Sequence, residues 1–296
     1  MNKKIILILI AVLVLCFIFY LYKTPKETYK FNSNSFTYSN REKPLYQLFL
    51  KEKNNSCDIY NINFETRNFI EYKTKIYGLL FIPNKENSPG IVFLPGGGAT
   101  KEAASHVSLI MCNLGYAVIT IDQRGIGQTG GYYLGLEQDY EVFSQGKEPI
   151  QHLSVYDALK SFDVLREIKQ VDKNNIAIAG ESMGGRYALI AASLDKRLKG
   201  VIGISTSGFG IKNENLPYTP YLLSIDPDHY VQEISPNKLV MIHCTNDSVI
   251  PLNTAKNTFA LAKEPKRFYT VEGCQHGYSD VMLYDLKQAL EFVLRE

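Results

Sequence analysis

Residues 175–185 read Asn-Ile-Ala-Ile-Ala-Gly-Glu-Ser-Met-Gly-Gly, and within them Gly180-Glu181-Ser182-Met183-Gly184 has the Gly-x-Ser-x-Gly spacing of a serine carried on a strand-to-helix turn. So sharp a turn strains the serine backbone and brings strand and helix too close for Cβ atoms two positions to either side. Glycine at 180 and 184 meets that requirement. The pattern alone is a weak signal, and its flanks decide the matter. Residues 176–179 suit a buried strand, and the run from Tyr187 to Ala192 suits a small-residue helix packed closely on it. These flanks favour an exposed Ser182 at a β-α junction over a plain helix N-cap.

The rest of the chain keeps this rhythm. Apolar runs at 91–94, 117–121, 176–179, 201–204, 239–242 and 268–271 alternate with helical patterns near 101–114, 151–169, 183–194, 251–263 and 279–295. Continuous apolar strands separated by helices predict an α/β fold with a mostly parallel sheet covered on both faces. Residues 58–83 mix polar and apolar positions and read as antiparallel strands that begin the sheet. Residues 206–237, with several prolines and no clear period, read as a short cap inserted over the reactive edge.

At 296 residues and 45% hydrophobic content, the chain can bury one large core and still carry an appendage. That appendage is N-terminal. Residues 5–22 run IILILIAVLVLCFIFYLY without a charge, roughly 27 Å of helix, close to the apolar thickness of a bilayer. Bulky residues fill 17–22 where a cleavage site would need small ones, so the run reads as an uncleaved transmembrane anchor. Leu15 before Cys16 argues against a lipoprotein. Lys3 and Lys4 against Lys23 and Lys26 give a small bias toward N-terminus inside and the globular part outside. The expected organisation is an anchor at 1–22, a polar tether and irregular lead-in at 23–56, and a catalytic domain at 57–296. A net charge of +2, with no basic run interleaved with aromatics, offers nothing to nucleic acid, so the membrane is the one macromolecular partner implied.

A serine hydroxyl needs a base to take its proton and an acid to orient that base. In a parallel sheet such groups lie on loops at the carboxyl ends of strands. Two such loops qualify. The strand at 239–242 leads into His-Cys-Thr-Asn-Asp-Ser-Val-Ile-Pro and places Asp247 before the next helix; the strand at 268–271 leads into Glu-Gly-Cys-Gln-His-Gly and places His276. Asp247 could instead merely cap that helix, and Glu272 is a weaker rival because it sits too near the strand. His106, His152, His229 and His243 show no metal spacing. Asp122 and Arg124 read as braces of a turn, and Tyr132 and Tyr133 as packing. None of the five cysteines shows a zinc or redox spacing, and the plain expectation is separate buried thiols. A bond between Cys244 and Cys274, which precede the candidate acid and histidine, is the alternative if the domain is exported.

The order Ser182, Asp247, His276 resembles the α/β-hydrolase family over roughly residues 77–296. The likeness extends to Leu94-Pro95-Gly96-Gly97-Gly98, Asp122-Gln123-Arg124-Gly125-Ile126-Gly127, and Asp226-Pro227 leading to Ile234-Ser235-Pro236. The branch is similar to acetyl-xylan esterases, dienelactone hydrolases and prolyl-oligopeptidase-type enzymes. In the oxyanion loop that family commonly has His-Gly, and this chain has Pro95-Gly96. The resemblance implies backbone N–H donors from Gly97 and Met183, with Gly98 as the alternative to Gly97. It also implies a serine hydrolase that cleaves an acyl ester and requires no cofactor or metal, and the run at 5–22 makes it a membrane-tethered one. A peptidase or acyl-aminopeptidase of the same fold, and an anchored binding protein that keeps only the shell, remain the alternatives.

Overall fold

Side chains alternate across a strand, so a strand that is apolar at every position must be covered on both faces. The computed structural model describes Ile10, Val12, residues 28–211 and residues 216–295. Its elements in chain order are β1 (Thr28–Asn32), β2 (Ser35–Ser39), β3 (Tyr46–Glu52), β4 (Cys57–Glu65), β5 (Lys75–Pro83), β6 (Ser88–Leu94), α1 (Ser105–Asn113), β7 (Ala117–Ile121), α2 (Leu136–Ser144) and α3 (Ile150–Glu167). There follow β8 (Val171–Glu181), α4 (Ser182–Leu194), β9 (Gly200–Ile204), α5 (Thr219–Ser224), β10 (Lys238–Cys244), α6 (Leu252–Leu261), β11 (Lys266–Val271) and α7 (Leu283–Leu294).

The main sheet runs β11-β10-β9-β8-β6-β7-β5-β4-β3, while β1 and β2 form a hairpin of their own. From β11 to β7 in that order the neighbours are parallel; β5, β4 and β3 join antiparallel. Val92 and Leu94 of β6 enter one core with Leu159 and Phe162 of α3 and Leu189 of α4. Ile91 and Phe93 enter the opposite core with Met111 of α1 and Leu290 of α7. β8, which carries the serine, therefore lies inside the sheet and is braced on both faces.

Residues 28–52, expected to be an irregular lead-in, form three strands. In the β1–β2 hairpin Phe36 alone is buried, stacked on His152 with ring centroids 3.9 Å apart. Tyr29 bonds His152 Nδ1 at 2.9 Å, and Arg41 pairs with Asp163 and Asp195. One buried ring and a few polar pins leave no hydrophobic period, which is why the segment reads as irregular. The 206–237 segment carries α5 and sends Tyr230, Val231 and Ile234 into the core that covers α4, so this part of the expected cap is a packed connector. The expected anchor lies outside the described residues apart from Ile10 and Val12. Among the described residues no helix is long and apolar enough to cross a membrane.

Candidate active site

β8 ends at Glu181 and α4 begins at Ser182 without an intervening residue. Ser182 takes φ 51°, a left-handed conformation that costs a non-glycine residue on the order of 1–3 kcal/mol. A Cβ at Gly180 would stand 2.6 Å from the Gly184 backbone, and one at Gly184 would collide with the carbonyl oxygens of Leu94 and Pro95. The two glycines thus let strand, helix and the 95–98 loop close on one another around the serine.

The loops after β10 and β11 bring the other two candidates to it. His276 Nε2 lies 2.8 Å from Ser182 Oγ, and His276 Nδ1 lies 3.0 and 2.9 Å from the Asp247 oxygens. Asp247 Oδ1 also accepts the N–H groups of Val249 and Ile250, each at 2.9 Å. Burial pushes the Asp247 carboxyl up, but the bonds from Ile250 N–H, His276 and Val249 N–H outweigh burial and hold it below the ordinary carboxylate range. An ionised Asp247 makes Nδ1 the protonated ring nitrogen and leaves Nε2 to accept from the Ser182 hydroxyl.

Further residues hold this line and the loops around it in place. Glu181, the free position of the serine motif, accepts the Tyr278 N–H at 3.0 Å and ties the serine turn to the histidine loop. His243 is buried, donates from Nε2 to the Ile250 carbonyl at 2.8 Å and so braces the loop that presents Asp247; burial pushes its pKa down. Gln123 donates to the Pro95 carbonyl at 2.8 Å and fixes the glycine loop. Asp122 accepts from Lys101 N–H, Lys101 Nζ and Gln128 N–H, and Arg124 pairs with Asp157, both deep inside the protein. These two brace the turn after β7 and stand away from solvent.

The expectation of separate thiols is overturned by two disulfides. Cys244 at the end of β10 joins Cys274, linking the acid and histidine loops, and Cys57 at the start of β4 joins Cys112 in α1. The second pair carries no local sequence signal, since its partners are 55 residues apart and meet only through the fold.

On the other side of the serine, Met183 is the second residue of α4, so its N–H is among those that a helix leaves without an internal partner. A Cβ at Gly97 would stand 3.5 Å from both Met183 Sδ and Tyr133 Oη, whereas one at Gly98 would meet nothing within 4 Å. Gly97 is therefore the glycine that abuts Met183, with the Tyr133 hydroxyl beside it.

A doubly wound sheet with this serine turn and these two loops defines an α/β hydrolase. The acetyl xylan esterase (AXE1) family model matches residues 24–206, more than half of the chain, and the chain belongs to that family. An acetyl xylan esterase from Paenibacillus sp. R4 superposes with a TM-score of 0.70 at 19% identity, covering 85% of this chain and 89% of that one. Acetyl xylan esterase 1 from Thermoanaerobacterium sp. JW/SL YS485 superposes at 0.66 with 15% identity, covering 86% and 89%. Among curated relatives, the uncharacterized protein YfhR of Escherichia coli (strain K12) is 32% identical over 145 residues, 47% of this chain and 51% of YfhR. The chain thus spans about half the length of the curated relatives it matches.

Proposed function

We propose that the protein is a serine hydrolase that cleaves an acyl ester through an acyl-enzyme intermediate. The observation that carries the reading is the unbroken line from Ser182 Oγ through His276 to a buried Asp247. Ser182 Oγ attacks the acyl carbonyl while His276 Nε2 takes its proton. The negative oxygen that forms faces the N–H groups of Gly97 and Met183, a pair whose single members are typically worth about 10² to 10³ in rate. His276 returns the proton to the departing alcohol, and a water activated by the same nitrogen releases the acid. Asp247 orients His276 and balances its transient charge. The esterase names borne by the family and by the two solved neighbours favour an ester over an amide. Two disulfides, and the apolar run at 5–22 read as an anchor, support an extracytoplasmic, membrane-tethered enzyme, because disulfides persist in oxidising compartments.

A fluorophosphonate probe should label the wild type and leave Ser182→Ala unlabelled. An unlabelled wild type would remove the serine-hydrolase reading. A panel of acyl esters and aminoacyl amides then separates esterase from peptidase, and faster turnover of the amides would reverse that choice.

A further inference from the structure

Asp247 and His276 are carried by loops that are held in unequal ways. The acid loop braces itself, since Asp247 Oδ1 accepts the N–H groups of Val249 and Ile250, and His243 Nε2 donates to the Ile250 carbonyl. The histidine loop has no such brace. Among the described residues, 272–277 make no backbone-to-backbone hydrogen bond, and glycines in the left-handed region stand at 273 (φ 78°) and 277 (φ 89°), one on each side of His276. A Cβ at Gly273 would meet nothing within 4 Å, so neighbouring atoms do not confine the chain where it leaves β11. Segments with few backbone bonds open locally at low free energy.

Ties to other elements take the place of that brace. After His276, Glu181 accepts the Tyr278 N–H at 3.0 Å, and Ser205 Oγ donates to the Gly277 carbonyl at 3.4 Å. Before it stands the Cys244–Cys274 bond, with both cysteines buried in the core that also holds Val271 and Leu286. Cys244 is the last residue of β10, which lies between β9 and β11, so one end of the bond is fixed in the sheet. The other end is two residues before His276. The bond thus fastens the near side of the histidine loop to the strand that also presents Asp247.

We propose that the Cys244–Cys274 bond positions His276 for catalysis by holding the imidazole between Asp247 and Ser182, and that the protein reaches full turnover only where that bond has formed. Without it the segment from Gly273 to Gly277 pivots on its Tyr278 end, and a misplacement of about 1 Å in a reacting group costs on the order of 10² in rate. The glycine loop at 95–98 and Met183 take no part in the tie, so substrate binding is kept and the loss falls on kcat. The Cys57–Cys112 bond supplies the comparison, because it joins β4 to the far end of α1 and reaches neither loop. The inference rests on the serine-hydrolase reading and adds to it a condition for activity.

The test compares the full chain with two paired variants, Cys244→Ala with Cys274→Ala and Cys57→Ala with Cys112→Ala, on p-nitrophenyl acetate, well below the lower of their melting temperatures. The first pair should lose at least about tenfold in kcat with KM within about twofold of wild type, and should take up a fluorophosphonate more slowly by a similar factor. The second pair should keep kcat within about twofold, whatever it loses in melting temperature. Cys244→Val with Cys274→Ala refills part of the core and should reproduce the first result if the alanine pair does not fold. An unchanged kcat in the first pair, an equal loss in both pairs, or a loss confined to KM overturns the positioning role. So does failure of both Cys244 variants to fold, which assigns the bond to the sheet and not to His276, and so does alkylation of Cys244 and Cys274 in the unreduced wild type. Each of these leaves wild-type turnover and labelling in place, and with them the hydrolase reading. Loss of both in the wild type overturns that reading, and the positioning role with it.

Discussion

Replacing Asp247 by Asn separates the orientation of His276 from its presence. Asp247 accepts Val249 N–H and Ile250 N–H on Oδ1 and faces His276 Nδ1 with both oxygens. Asparagine offers one acceptor oxygen and one donor NH2 in the same space. Two backbone donors fixed by the loop claim the oxygen, so the NH2 turns to His276 Nδ1. That nitrogen must then be the unprotonated one, and the ring proton moves to Nε2, 2.8 Å from Ser182 Oγ. A protonated Nε2 donates to the serine and no longer takes its proton, although every atom stays nearly in place. In a Ser-His-Asp triad on another fold, this wrong tautomer costs about 10⁴ in kcat, or about 5.4 kcal/mol of barrier. We expect that loss in kcat on p-nitrophenyl acetate, with a melting temperature within a few degrees of wild type because volume and backbone bonds are kept. A folded Asp247→Asn enzyme within about tenfold of wild type would refute the orientation argument. So would a double variant Ser182→Ala, Asp247→Asn slower by a further large factor than Ser182→Ala alone, because members of one relay are not additive.

His152 should set part of the acid sensitivity of the fold. It is fully buried among Phe36, Tyr29 and Ser224, and burial pushes its pKa well down. The unfolded chain takes a proton from about pH 6.5 downward and the folded one does not, so stability falls as pH drops below about 6.5, by up to about 1.4 kcal/mol per pH unit. Urea titrations from pH 7 to pH 5 should show a shallower slope in His152→Gln; an unchanged slope would contradict this. Gly184→Ala forces a methyl group against the Leu94 and Pro95 carbonyls. It should destabilise by about 1–3 kcal/mol and abolish fluorophosphonate labelling, and normal labelling would show that the loop gives way freely. Removing the Cys57–Cys112 bond by paired alanines opens a 55-residue separation and should lower unfolding free energy by about 4 kcal/mol in a urea titration, with an unchanged midpoint as the contrary result.

The inner parallel strands were legible because each is buried on both faces along its apolar run, and burial on both faces writes a run that no other element writes so compactly; β11, at the edge, is only partly buried. β6, β7, β8, β9 and β10 all lie on such runs. β3 is an edge strand whose Leu48, Phe49 and Leu50 are exposed, and the β1–β2 hairpin buries Phe36 alone, so neither writes a period. α2 was missed for the same reason, since Asp139 is its single buried residue. What pins the hairpin and the residues just after it is polar and distant: Arg41 to Asp163 and Asp195, and Tyr29 to His152. Each pairing spans more than a hundred residues, and a single sequence carries no mark of it.

The site shows the same division between local and distant causes. Ser182, Asp247 and His276 could be proposed because each follows a recognisable strand, and the sheet rule puts the ends of those strands at one edge. Gly180 and Gly184 could be read because their requirement is steric and local. Glu181 and Gln123 could not, because each acts by reaching a backbone atom of another loop, at Tyr278 and Pro95; His243 acts closer by, on the Ile250 carbonyl of the loop after its own strand, but no pattern marks that bond. Tyr133 is the sharper case. Its sequence neighbours suggest packing, but the fold sets its hydroxyl beside Gly97. The motif residues recur wherever this chemistry is done, so they specify a reaction class. The residues that choose a substrate need only shape a wall, and a wall is assembled from loops that carry no motif. Substitutions at Glu181 and His243, which brace the loops of the triad, should change how fast any acyl group is transferred.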